Sequence, residues 1–364
     1  MLLLACLPVT QKAEAASIGP IVDSYTAGTG SYTLKSTSRF FIVSGEEPSA
    51  DLLRMVKLSA SEYAADGKPS SGVLEICWGH ADAADSDDIR IRLDNAYSSE
   101  SYRLEITSGG VTVTAGDHSG VRYGLITLLK QMRLAGGTTV FACTIADAPD
   151  TAERTVHLDC ARKYFTKDWI CNFIREMSWM GYNTLEFHFS EDGGFRMDIW
   201  DPAYYTANYK PYNDFSWICG SKVQSWVGSN YKTDPDEGKY LKMDEVIEIL
   251  QTAKDYNIDV IPSFDSPAHM DYLCWKYEQN YAELKSQGKD FTFLHNGVVY
   301  EASYGGGNIN YMGTTGYDYP KWPDYTAIDI DTSTPHGRLC IPALYGHCGF
   351  LQGIRRQHQV QHRC

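Results

Sequence analysis

Residues 183–196 read Asn183-Thr-Leu-Glu-Phe-His-Phe-Ser-Glu-Asp-Gly-Gly-Phe-Arg196 and carry the most informative pattern for the fold. The first eight residues are typical of a buried β-strand, because bulky apolar side chains dominate and polar ones follow where the strand ends. Segments 155–160 and 259–264 have the same organisation. Helical patterns over 167–180 and 243–256 separate the three strands, and this alternation predicts parallel βα units.

Ionisable side chains follow each of the three predicted strands. They are Asp159 and Arg162 after the first, His188, Glu191, Asp192 and Arg196 at the second, and Asp265 and His269 after the third. Any one of them is readily explained as a loop charge or a satisfied core histidine. Their repetition at the carboxyl ends of successive parallel strands, where barrel enzymes carry their chemistry, favours a single pocket.

Two kinds of chemistry could use this set. Carboxylates with histidine and an arginine clamp suit glycoside hydrolysis. Alternatively, His188, Glu191, Asp265 and His269 offer the nitrogen and oxygen ligands of a hydrolytic metal ion. The metal reading lacks a clear third nitrogen ligand, since the first strand offers Asp159 and no His-x-His pair.

The segment 30–150 carries a different pattern. Strands are predicted at 40–43, 73–76 and 89–93, helices at 48–65 and 119–132, and a hairpin at 102–113 with its turn at Gly109-Gly110. Several strands with two amphipathic helices predict a two-layer α+β domain. Residues 136–153 are interpreted as the join to the βα units.

Composition excludes several classes of protein. The net charge is −14, from 32 basic and 46 acidic residues, and phosphate backbones need a basic face, so nucleic acid is not an expected partner. No apolar run reaches the roughly 20 residues of a membrane span. Hydrophobic residues make up 43% of the chain, enough for a buried core. The ten cysteines contain no C-x-x-C pair and do not form a disulfide framework.

The first 16 residues resemble a leader for export. A short apolar run precedes Ala13-Glu-Ala15-Ala16, an A-x-A cleavage pattern, and Leu3-Leu-Ala-Cys6 loosely fits a lipoprotein box. A mis-called start codon or a chance apolar start are the alternatives. We therefore expect a bacterial exported protein, secreted or at the cell surface.

The segment 332–364 differs sharply from the rest of the chain. It contains no Asp, Glu or Lys, although all 46 acidic residues lie before it. A basic tail for an anionic surface, a His/Cys metal tract and an out-of-frame translation are the three interpretations. We favour the third, an aberrant tail, because of the family pattern described next.

Three ordered motifs resemble glycoside hydrolase family 20. Leu158-Asp-Cys-Ala-Arg-Lys-Tyr-Phe165 is similar to its L-D-x-x-R-x-[FY] strand, 183–196 to its N-x-x-x-x-H-x-x-[DE]-D-x-G-[FW]-R segment, and Ile261-Pro-Ser-Phe-Asp-Ser-Pro-Ala-His269 to its I-P-[ES]-[IF]-D-x-P-G-H segment. The resemblance covers roughly residues 30–330. It implies an α/β fold, with a small α+β domain at 30–150 followed by a truncated (β/α)8 TIM-type barrel at 152–331. A whole barrel takes about 250 residues.

The resemblance also implies a reaction. The family hydrolyses terminal β-linked N-acetylhexosamines, or lacto-N-biose in related lacto-N-biosidases, with retention of configuration. The acetamido oxygen of the substrate is the nucleophile, and no cofactor or metal is implied. The family's Asp-Glu pair stands in a G-G-D-E-like motif at the fourth strand, and this chain has no acid after Pro335. We therefore expect this chain to be inactive. A metal-dependent hydrolase on a TIM-type barrel and a non-catalytic carbohydrate-binding fragment are the alternatives.

By resemblance, the site residues receive roles one by one. Arg162 would grip the C3 and C4 hydroxyls, and Asp159, His188 and Asp265 would complete the substrate-binding set. Glu191 and His269 would form the network behind the absent acid, supported by Asp265, with Asp192 able to share the role of Glu191. The family usually has Asp at position 191 and Gly at position 268, where this chain has Glu and Ala.

Overall fold

The computed structural model divides into two compact units. The residues that it describes are 22–191, 193–198, 218–221, 224–227, 230–233, 238–265, 272, 293–295 and 298–300. Of these, the first unit contains 22–154, 175–183 and 254–258, and the second contains the others. The segments 1–16, predicted as a leader, and 332–364, interpreted as an aberrant tail, lie outside the described residues.

The elements of the first 150 residues alternate between strand and helix. They are β1 (Ser24–Thr33), β2 (Arg39–Val43), α1 (Ala50–Ala65), β3 (Glu75–Gly79), a short 3-10 turn (Ala81–Ala83), β4 (Ile89–Leu93), β5 (Tyr102–Thr107), β6 (Gly110–Ala115), α2 (His118–Leu134) and β7 (Thr139–Asp147). The strands form one seven-stranded mixed sheet in the order β1-β7-β5-β6-β4-β2-β3. β4 runs parallel to β2 and β6, while β5 and β7 pair with their neighbours antiparallel.

The two helices begin at polar caps and bury one apolar face. The Ser49 hydroxyl accepts from the Leu52 amide at the start of α1, and the Asp117 carboxylate accepts from the Gly120 amide at the start of α2. The buried side chains of both helices share one hydrophobic cluster with alternate side chains of the sheet, such as Ile91 and Leu104. The two-layer α+β prediction is therefore confirmed for this unit.

The predicted hairpin and helices are confirmed, with small shifts at their ends. Thr107 pairs with Gly110 across the turn. Gly110 has φ 127°, and a Cβ there would lie 2.6 Å from the Ser86 carbonyl oxygen. Only glycine adopts that backbone without strain. The prediction that 136–153 is a join was wrong, because β7 occupies Thr139–Asp147 and pairs with both β1 and β5.

The remaining elements follow the predicted βα order. They are β8 (Thr155–Asp159), α3 (Lys167–Trp179), β9 (Thr184–Glu191), β10 (Gly194–Phe195), β11 (Gly220–Ser221), β12 (Gln224–Val227), β13 (Asn230–Thr233), α4 (Met243–Asp255), β14 (Asp259–Phe264), β15 (Phe293–His295) and β16 (Val298–Tyr300). β9 lies between β8 and β14 and runs parallel to both. Three parallel strands with two helices between them agree with the predicted βα units. Much of 266–331, the rest of the segment predicted as a truncated barrel, lies outside the described residues.

No helix in the described ranges combines the length and the apolar character that a membrane crossing requires.

Candidate active site

The parallel register brings the polar strand ends to one level of the sheet. Asp159, the last residue of β8, pairs with His188 of β9, and Ser263 of β14 pairs with the same histidine from the other side. Side chains two residues apart on a strand share a face. The register therefore places Asp159, His188 and Ser263 in one row across three strands.

Arg162 joins the ends of β8 and β9. Its Nη1 donates to Asp159 Oδ2 at 2.7 Å, and its Nη2 donates to Glu191 Oε1. Asp159 Oδ1 accepts the backbone amides of Ala161 and Arg162, both at 3.0 Å, which fixes the turn after β8. Glu191 is buried, whereas the side chain of Arg162 is 57% exposed. One edge of the guanidinium is thus held by carboxylates while much of the group faces solvent.

His188 is buried between two partners from β14 and its end. Its Nδ1 lies 3.2 Å from Ser263 Oγ, and its Nε2 lies 3.6 Å from Asp265 Oδ2. Burial lowers the pKa of the His188 imidazole, and the nearby Asp265 carboxylate opposes that shift. A neutral imidazole with both nitrogens engaged is well suited to fix the position of a carboxylate.

His157 of β8 and Glu186 of β9 form a second polar row, two residues before Asp159 and His188 on the same strands. The sequence motifs did not reveal this row. His157 Nδ1 is 3.3 Å from Glu186 Oε2, and the His157 ring centroid is 5.2 Å from that of His188. A hydrogen bond from Ser263, helped by His157, lowers the pKa of Glu186. The sequence did contain a signal for this row. His157 and Glu186 precede Asp159 and His188 by two positions, and residues two apart on a strand lie on the same face.

Arg196 holds the segment that carries Arg162. It is only 1% exposed, and its Nε donates to the Ala161 carbonyl oxygen at 3.0 Å. Its Nη1 donates to the Lys239 carbonyl oxygen, also at 3.0 Å. A buried guanidinium bonded to backbone carbonyls positions neighbouring segments. Arg196 therefore supports the turn after β8, although its place at a strand end had suggested a pocket residue.

Seven residues received roles from the family resemblance. The structure brings together five of them, namely Asp159, Arg162, His188, Glu191 and Asp265. Asp192 and His269 lie outside the described residues. Within the described ranges, no three His, Cys, Asp or Glu side chains are arranged to hold a metal ion.

Two family models match consecutive parts of the chain. Residues 15–148 match glycosyl hydrolase family 20, domain 2, and residues 153–304 match the glycosyl hydrolase family 20 catalytic domain. The chain belongs to glycoside hydrolase family 20. The strands that carry Asp159, Glu191 and Asp265 all lie inside the match to the catalytic domain.

Two relatives are similar in sequence to this family 20 chain over more than half of its length. A beta-hexosaminidase of Vibrio vulnificus is 27% identical over 201 residues, which is 55% of this chain and 23% of that protein. A lacto-N-biosidase of Bifidobacterium bifidum is 25% identical over 275 residues, 74% of this chain and 20% of that protein. The match thus spans about a quarter or less of these relatives.

A solved structure with a similar fold is the Streptomyces plicatus N-acetyl-beta-hexosaminidase in complex with Thio-NAglucal. It has 26% sequence identity and a TM-score of 0.52, and the match covers 74% of this chain and 49% of that one.

The lowered pKa of His188 predicts a specific loss of stability in acid. Because its folded pKa lies below the ordinary value of about 6.5, the unfolded chain binds a proton at a pH at which the folded chain does not. This part of the stability is present above about pH 6.5 and is lost as the pH falls toward the folded pKa. Urea unfolding of His188→Gln at several pH values is expected to show a shallower acid loss than the parent chain. The matched variant at the exposed His80, His80→Gln, should keep the parent's slope, and equal slopes for all three would contradict the assignment.

Proposed function

We propose that this chain carries the sugar-gripping half of a glycosidase that removes terminal β-linked N-acetylhexosamine, or lacto-N-biose, from glycans. The observation that carries the proposal is the Arg162 guanidinium, held by Asp159 and Glu191 at two adjacent strand ends with its remainder facing solvent. A planar fork of donors held in this way suits two neighbouring sugar hydroxyls, which lysine's point charge does not.

In this proposal, each described residue has a task in binding. Arg162 donates to the C3 and C4 hydroxyls of the terminal sugar. Asp159 and Glu191 keep the guanidinium from rotating, so little conformational entropy is lost when the sugar binds. His188, whose other ring nitrogen is engaged by Ser263, holds Asp265 at the neighbouring strand end. Orienting the sugar in this way is the contribution that binding makes to catalysis.

The bond-breaking step in this proposal is substrate-assisted. The acetamido oxygen of the sugar attacks the anomeric carbon while a carboxylic acid protonates the leaving oxygen, so no cofactor takes part. By the family resemblance, Glu191, Asp192, His269 and Asp265 form the network behind that acid. The acid itself and its aspartate neighbour belong to a motif that segment 332–364, without Asp or Glu, does not contain.

We therefore propose that the 364-residue chain binds the sugar and does not hydrolyse it. Leaving out a general acid alone costs about 10²–10⁴-fold in rate. The chain, incubated with an aryl β-N-acetylglucosaminide and an aryl lacto-N-bioside, is expected to release no phenol above the buffer rate. The source DNA, read in all frames after codon 331 and expressed in the frame that restores acidic residues, is expected to give a product that hydrolyses at least one of them.

Two results would contradict this proposal. Turnover by the 364-residue chain that is lost in Glu191→Gln would show that the chain holds its own acid. Failure of the frame-restored product on both substrates would remove the hexosaminidase assignment.

The same proposal includes two features of the chain's ends. Residues 1–16 act as a leader that directs the protein to a secreted or cell-surface location, and segment 332–364 is translated out of frame.

A further inference from the structure

The first unit contains a cavity that is lined by its own residues alone. Its volume is about 400 Å³, within the size range of small-molecule sites. Its wall includes Lys130 of α2, Asp147 at the end of β7, and the side chains of Tyr102, Thr127 and Trp179. Polar and aromatic groups thus surround Lys130 and a second basic side chain, Arg154, and the proposed hydrolysis uses none of them.

The amine of Lys130 is held inside this cavity. Its Nζ donates to the Trp179 carbonyl oxygen at 3.0 Å and lies 5.2 Å from the centroid of the Trp179 ring. Burial, with the positive charge of Arg133 as a second cause, lowers the pKa of Lys130 to about 8. An amine that is partly unprotonated near neutral pH is a nucleophile, as in enzymes that form Schiff bases with carbonyl compounds.

Asp147 supplies the complementary group in the same wall. Burial raises the pKa of its carboxyl, and the Tyr102 hydroxyl donates to its Oδ2 at 3.4 Å. The charge of Asp147 acts on Lys130. An amine and a carboxyl that are both shifted toward their neutral forms provide a nucleophile and a proton donor in the wall of one cavity.

We propose that this cavity binds a small polar aldehyde and that Lys130 forms an imine with it. The Nζ lone pair attacks the carbonyl carbon and gives a carbinolamine. Asp147 protonates the carbinolamine hydroxyl, which leaves as water, and the Asp147 carboxylate takes the remaining N–H proton. One aldehyde and one amine thus give one imine and one water. The carboxylates of Asp23 and Asp150 on the same wall favour an aldehyde that carries hydroxyl groups over an apolar one.

Reductive trapping on the full chain tests this proposal. The chain is incubated at about pH 7 with glycolaldehyde and cyanoborohydride, and the labelled lysines are located by peptide mass spectrometry. At that pH, a pKa near 8 gives roughly two hundredfold more free amine than the ordinary lysine value of about 10.4. Because a less basic amine is also a weaker nucleophile, we expect Lys130 to be labelled about tenfold faster than the exposed Lys57.

Matched variants and urea distinguish the effect of the cavity on Lys130 from the ordinary reactivity of a lysine amine. Lys130→Arg keeps the charge and should lose the fast label, whereas Lys57→Arg should keep it. In urea, where the cavity is lost, Lys130 and Lys57 should be labelled at similar rates. Labelling of Lys130 no faster than Lys57 in the folded chain, or an unchanged advantage in urea, would overturn the proposal. Neither result depends on sugar binding or hydrolysis.

Discussion

Glu62→Ala is expected to destabilise the first unit by about 3 kcal/mol. Arg122 is 1% exposed, and its Nη1 and Nη2 donate to the two carboxylate oxygens of Glu62 at 2.5 and 2.6 Å. Its Nη1 also donates to the Ser59 hydroxyl at 3.2 Å, and its guanidinium carbon lies 5.7 Å from the centroid of the Tyr256 ring. Truncating Glu62 leaves a buried guanidinium without its counter-charge, and that penalty exceeds the value of the pair itself.

Urea denaturation, followed by circular dichroism, measures this loss. The control is Lys35→Ala, because Lys35 and Asp87 form an ion pair of similar length, 2.8 Å, whose side chains are 54% and 34% exposed. Such a surface pair contributes about 1 kcal/mol or less. Equal losses for Glu62→Ala and Lys35→Ala would show that Arg122 is not buried as the structure has it.

Arg162→Lys is expected to weaken binding of N-acetylglucosamine about tenfold or more, which corresponds to roughly 1.4 kcal/mol. Lysine keeps the positive charge near Asp159 and Glu191 and loses the planar fork that addresses two carboxylates and two hydroxyls together. The side chain is 57% exposed, so a large change in folding stability is not expected. Calorimetric titration of both proteins with the sugar measures the effect.

The control for this experiment is Arg103→Lys. Arg103 is 43% exposed in the sheet of the first unit and pairs with Glu105 at 3.1 Å. The same chemical change there should leave sugar affinity as it was. Equal affinity of Arg162→Lys and the unchanged chain would remove Arg162 from the proposed site.

Elements with strong apolar patterning could be predicted from the sequence alone. The strand β14 (Asp259–Phe264) was predicted with its observed bounds, and α2 was predicted within two residues at each end. The helix α2 buries side chains along one face at a regular period, which is the main sequence signal for secondary structure. β14 was predicted from its apolar residues Val260 and Ile261, although none of its described side chains is buried.

Two neighbouring strands of the first sheet, β1 at its edge and β7 beside it, were not predicted from the sequence, for a physical reason. β1 (Ser24–Thr33) is mostly exposed and rich in Ser, Thr and Gly, so it shows little apolar alternation. It is held by backbone pairing with β7, whose register shifts between Ala27 and Ser31. Pairing between residues more than 100 positions apart leaves no trace in local periodicity. β7 did carry a signal, since Val140, Ala142 and Ile145 are buried, but nearby glycines and Pro149 concealed it.

The candidate site also contains features that the sequence predicted and features that it did not. Asp159, Arg162 and Glu191 could be predicted because polar residues at strand ends stand out against the apolar strands before them. That Arg162 bridges both carboxylates depends on the register between β8 and β9, which the sequence does not show. His157, Glu186 and Ser263 lie within strands, where polar side chains resemble ordinary surface positions.

In the proposed function, the ends of β8 and β9 form the part of a family 20 site that grips the terminal sugar. Backbone amide NMR of the full chain, titrated with N-acetylglucosamine and separately with glucose, tests it most directly. We expect N-acetylglucosamine to shift the amides of 159–162 and 188–191 at millimolar concentration, and Arg162→Lys to weaken those shifts. Absence of shifts at these residues, or shifts confined to another part of the chain, would contradict the claim.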